Sequence, residues 1–90
     1  MYMANSGRMT RDWFFVIDED PETGEGKFQT GEASCLADAR KCVFSPGVLF
    51  RDRTFVIVRL RAGKWFENPA EYSSPGFGGE VIERRFVPGA

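Results

Sequence analysis

The run Thr54 to Arg61, TFVIVRLR, constrains the fold more than any other part of the chain. Successive side chains of a strand point to opposite faces. In that geometry Thr54, Val56, Val58 and Leu60 form a continuous apolar face, and a strand so built must lie in a sheet that buries it. Phe55, Ile57, Arg59 and Arg61 form the other face, which begins apolar and ends cationic. A mixed face of that kind suits a partner better than water, so these four enter as candidate contact residues.

Neighbouring segments supply the rest of an antiparallel sheet. Asp12 to Asp18, DWFFVID, is aromatic and β-branched with both faces apolar, which predicts a strand covered on both sides and a buried Trp13. Asp20-Pro21-Glu22-Thr23-Gly24 is a turn signal, and the hairpin is expected to return through Lys27 to Thr30. Ser34 stands where an N-cap would, ahead of a short helix over Cys35 to Val43. In that helix Cys35, Leu36, Ala39, Cys42 and Val43 share one face, and Pro46-Gly47 closes the element.

Val48 to Phe50 reads as a short strand. After the long strand, Ala62-Gly63 makes a tight turn into a returning strand, Lys64 to Glu67, which carries Trp65 and Phe66. Tyr72 to Gly79 is loop by composition, and Val81 to Val87 alternates well enough for a last strand. The expected class is α+β: a small antiparallel sheet of about four to six strands in the order β-β-α-β-β with a further strand at the end, one short helix packed on one face. Residues 12–87 form the single domain, 1–11 a flexible leader with either Met1 or Met9 as the functional start, and 88–90 a frayed end.

The chemistry that the chain lacks narrows its role. There is no histidine, which removes the commonest general base and any Ser-His-Asp or Cys-His constellation. Two cysteines without histidine make no usual structural zinc site, and Cys35 and Cys42, about 10 Å apart if they share a helix, are expected as free thiols in a reducing compartment. Asp18, Asp20 and Glu22 alternate as in a calcium loop, but the glycine comes one place late and Gln29 stands where the bidentate Glu belongs. Gly76-Phe77-Gly78-Gly79 lacks the base and second aromatic of an RNA-recognition signature. No catalytic residue, cofactor or metal is expected. Nor does any 18-residue apolar run suggest a membrane span.

Charge is balanced overall, at −1, yet segregated. Asp18, Glu19, Asp20 and Glu22 lead an acidic stretch, while Arg51, Arg53, Arg59, Arg61 and Lys64 cluster later with Asp52 opposed. Opposed patches favour a protein partner, or a nucleic acid on one edge. Trp65 beside Arg59, Arg61 and Lys64 makes the best binding constellation, because Trp and Arg are enriched in interface hot spots and stack on one another.

The layout from Asp12 to Glu67 resembles that of small phage-encoded proteins, among them anti-CRISPR inhibitors of type I surveillance complexes. The features carrying it are the aromatic strand ending Val16-Ile17-Asp18, the polar hairpin tip, the short helix with Ala33, Ala37 and Ala39 leading to Gly47-Val48-Leu49, and a Trp near the end of the second hairpin. The resemblance implies a non-enzymatic inhibitor in the bacterial cytoplasm that plugs the nucleic-acid-handling surface of a Cas complex. It further implies that the acids of Asp18 to Glu25 meet basic residues that hold the crRNA backbone. The basic cluster departs from a pure DNA mimic. The expected partner is therefore a protein, with two alternatives: a second copy docking through the Phe55/Ile57 face, or a nucleic acid on Arg59, Arg61, Lys64 and Trp65.

Overall fold

A computed structural model describes residues 7–8, 10–66 and 68–90. In chain order the elements are β1 (Gly7–Arg8), β2 (Trp13–Glu19), β3 (Phe28–Ala33), α1 (Leu36–Arg40), β4 (Arg53–Leu60), β5 (Trp65–Phe66), a 3₁₀ turn (Pro69–Glu71) and β6 (Glu80–Val87). The class is the expected small α+β fold, with a four-stranded sheet in the order β3-β2-β4-β6 and every neighbouring pair antiparallel.

The two strands that are apolar on both faces take the centre. β2 and β4 pair without a break from Trp13 opposite Leu60 to Glu19 opposite Thr54. Central strands must be covered twice, and two clusters do this. Phe15, Ile17, Val56, Val58 and Leu60 pack with Ala70 and Phe77 on one side. Phe14, Val16, Phe55, Ile57 and Val87 pack with Ala39 on the other, ringed by Leu36, Cys42, Val43, Leu49 and Ile82.

This arrangement corrects the reading of β4. Phe55 and Ile57, expected to face a partner, are 0% and 1% exposed and lie on the side covered by α1. The cause is the segment from Pro69 to Phe77, whose Gly, Pro and Ser content reads as loop. It folds back and delivers Ala70, Tyr72 and Phe77 to the Thr54/Val56/Val58/Leu60 face, so the helix takes the opposite one. A second copy cannot dock on a face that the chain has already filled.

α1 is shorter than expected. Cys35, not Ser34, is the N-cap, with φ −145° and no side-chain cap. Beyond Arg40 the backbone tightens into i→i+3 bonds, Lys41 N–H to the Asp38 carbonyl at 3.1 Å and Cys42 N–H to Ala39 at 3.0 Å. Leu36, Ala39, Cys42 and Val43 nevertheless keep to the core side, whereas Cys35 is exposed. Gly31 makes room for this turn, because a Cβ there would lie 2.8 Å from the Cys42 Cβ and Sγ atoms.

Other expectations change as well. Trp13 is half-buried at the end of its strand, its indole N–H donating to Glu32 at 2.8 Å. After the Ala62-Gly63 turn, β5 leaves the main sheet and pairs with β1, inside the segment read as a leader. Val48 to Phe50 forms no strand and is tied to residues 88–90, which were expected to fray: Gly47 N–H donates to the Pro88 carbonyl and Ala90 N–H to Leu49. A bulge in β6, opposite the step from Ile57 to Val58, turns Ile82 toward the helix-side cluster.

Candidate protein-contact surface

Most of the acidic and basic residues singled out in the sequence are engaged within the chain. Arg53 Nε donates to Asp18 Oδ1 at 2.5 Å, and both side chains are largely buried on the helix side. Glu19, buried at the end of β2, accepts from the Tyr72 hydroxyl at 2.6 Å and from Arg84 at 3.2 Å. Burial and the adjoining carboxylate raise the Tyr72 phenol above its ordinary value. Two of the four leading acids are thus internal counter-ions. Asp20 serves its own turn, accepting from the Glu22 and Thr23 backbone N–H groups, which lower its carboxyl. Glu22 is left exposed at the hairpin tip.

The basic cluster disperses in the same way. Arg59 and Arg61 point to the side of the sheet where β6 offers Glu80, and both reach its Oε1, at 2.7 and 3.1 Å. The Arg59 bond and charge hold the Glu80 carboxyl below its ordinary value, with Arg61 assisting. Among the described residues Arg51 and Lys64 enter no ion pair. They flank opposite ends of β4, whose seven steps span about 23 Å, so they form no common patch. The Trp65 side chain lies outside the described residues, so the constellation around it reduces to these cations.

The surface feature that sequence reasoning missed is Phe50. It is 99% exposed, with Val48 at 62% two residues earlier, while Leu49 between them turns inward against the helix-side cluster. Arg51 follows, also exposed. The segment is held in place by the bonds to residues 88 and 90, and by Gly89 N–H donating to Asp52 Oδ1 at 2.9 Å. A Cβ on Gly89 would come within 2.4 Å of the Arg51 backbone, so the C-terminal residues lie flat against this loop.

Other chemistry is sparse. A shallow depression of about 320 Å³ lies beside the β2–β3 hairpin, lined by Lys27, Asn68, Glu71, Ser73 and Ser74, with Lys27 Nζ already donating to Ser73 Oγ at 2.8 Å. Of the acidic stretch singled out in the sequence it contains only Glu25. Among the described residues no three acidic or cysteine side chains are placed to hold a metal ion, and no helix is long and apolar enough to cross a membrane. The chain matches no protein-family model, no curated protein and no solved structure.

Proposed function

We propose that this protein is a non-enzymatic binding module that acts by protein–protein contact, docking through the loop that carries Val48, Phe50 and Arg51. Phe50 carries the reading. A fully exposed phenyl ring on a segment pinned by backbone bonds is a preorganised anchor. Its ordering cost is largely met before binding, and aromatic residues with Arg dominate interface energetics. The internal neutralisation of Arg53, Arg59, Arg61 and Arg84 argues in the same direction, since a phosphate-binding groove needs unpaired cations.

The layout resemblance supplies the partner class: a phage or mobile-element inhibitor that blocks a bacterial nucleic-acid-handling defence complex. The pairing of Asp18 and Glu19 leaves Glu22 and Glu25 as the exposed acids of the hairpin, so inhibition is assigned to the apolar loop rather than to acid mimicry. The test is binding of the purified protein to a reconstituted type I surveillance complex, with target-DNA binding as the readout of inhibition. Phe50→Ala is expected to weaken binding by about 2 kcal/mol, roughly thirtyfold, with the fold unchanged. A wild-type protein that leaves target-DNA binding untouched overturns the partner class. Equal affinity of wild type and Phe50→Ala overturns the surface. Oligonucleotide binding that falls steeply with salt would favour the nucleic-acid alternative.

A further inference from the structure

β6 is an edge strand of the sheet. Among the described residues only β4 runs beside it, so its outer N–H and C=O groups face away from the sheet along a strand of eight residues. Edge strands are ordinarily kept short, or blunted by charge, Pro, bulges or a covering element. β6 contains neither Lys nor Pro, and three of its four charges are engaged by other elements of the chain: Glu80 by Arg59 and Arg61, Glu83 by Arg40 on α1, and Arg84 by Glu19. The other edge differs in that the 3₁₀ turn packs against β3. On the face away from the helix, the Pro69–Phe77 segment covers β2 and β4 but leaves the β6 column open, with Val81 43% and Phe86 55% exposed.

We infer that β6 pairs antiparallel with β6 of a second copy of this chain, about a two-fold axis through Arg84, joining two four-stranded sheets into one. The sequence EVIERRFV is self-complementary in that register. Glu83 of each copy lies opposite Arg85 of the other, on the helix side, and the pair occurs twice. Arg85 is half-exposed and holds its own Glu83 only at 3.6 Å, so it is free to turn to the other copy. Arg84 meets its own symmetry mate across the axis, but each guanidinium is held by Glu19 and the Tyr72 hydroxyl of its own chain. Phe86 lies diagonally from Arg84 of the second copy, within reach of its guanidinium. The bulge at Ile82 ends the pairing, so this is a small, reversible interface centred on residues 83–85.

The test is sedimentation velocity over a concentration series, on wild type, Arg85→Glu, and the swap Glu83→Arg with Arg85→Glu. Wild type is expected to dimerise reversibly. Arg85→Glu places like charges opposite each other twice and is expected to weaken dimerisation at least about tenfold. The swap regenerates the opposed pairs and is expected to restore it. Hydrogen exchange of the wild-type amides at 83–85, slowed as concentration rises, reads the same pairing if the swapped protein folds poorly. A wild type that sediments as a monomer up to millimolar concentration overturns the inference. So does an Arg85→Glu protein that dimerises as tightly as wild type. Phe50→Ala leaves dimerisation unchanged, which keeps this inference separate from the docking loop.

Discussion

Phe55 and Phe50, five residues apart, are expected to behave as opposites when truncated. Phe55 is 0% exposed between α1 and the sheet, with the Phe44 ring at 5.7 Å and Val16 and Ile57 beneath the same helix-side cover. Enclosing a phenyl side chain removes about 150–250 Å² from water, and Phe→Ala at such sites costs about 3–5 kcal/mol. The neighbours of Phe55 belong to the two central strands and cannot close over the void, which places the expected cost near the middle, at about 4 kcal/mol. A 90-residue domain has roughly 5–14 kcal/mol in all. Phe55→Ala should therefore melt about 15–30 °C below wild type, at about 4–8 °C per kcal/mol. Urea unfolding measures this as a fall in midpoint at constant slope. Phe50→Ala should shift stability by no more than about 0.5 kcal/mol. A Phe55→Ala protein within about 1 kcal/mol of wild type would mean that α1 does not cover this face, and the partner-facing reading of Phe55 would return.

Tyr72→Phe removes the 2.6 Å bond to buried Glu19 and is expected to cost about 1–2 kcal/mol, the low end for bonds to charged groups because the phenol is partly exposed. Because the phenol is raised in the folded state, the wild-type contribution is whole below the ordinary value of about 10 and fades as pH climbs through the folded one. Wild type and Tyr72→Phe should therefore converge in stability at high pH in parallel urea titrations, and a gap that stays constant would refute the assignment. Alkylation of the denatured protein without reductant should give two adducts, since Cys35 and Cys42 are both free; in the native protein, exposed Cys35 should react before half-buried Cys42. A mass two hydrogens short, with no adduct, would refute the placement of both thiols.

The main sheet was legible because its strands announce themselves locally. Periodicity placed β2, β4 and β6 to within a residue, and Asp20-Pro21 to Gly24 announced the hairpin between β2 and β3. What periodicity cannot supply is the identity of the cover on each face. Two apolar faces on β4 need two lids, and the sequence offers one helix. Counted that way, the chain requires a second lid from its irregular part, and Ala70, Tyr72 and Phe77 are the apolar residues there. Reading Tyr72 to Gly79 as loop was right about its backbone and wrong about its side chains. The same error turned Phe55 and Ile57 outward, while the strand read over Val48 to Phe50 hid Phe50, which is 99% exposed.

The charges were illegible for a related reason. Asp18 is 35 positions from Arg53, Glu19 is 65 from Arg84, and Glu80 is 21 from Arg59. Asp18–Arg53 and Glu80–Arg59 join neighbouring strands, and Glu19–Arg84 reaches across β4 from β2 to β6, so strand order and register decide each pair. Along the chain the acids and bases form two blocks; across the sheet they alternate, β2 acids against β4 and β6 bases, and β4 bases against the β6 acid. Segregation in sequence therefore becomes neutralisation in space whenever antiparallel strands lay one block beside the other. For a small two-lidded sheet this has a direct consequence. The residues most conspicuous by charge hold the fold together, and the contacts proposed above rest on groups that the lids and the pairing leave uncovered, on the Phe50 loop and along the edge of β6.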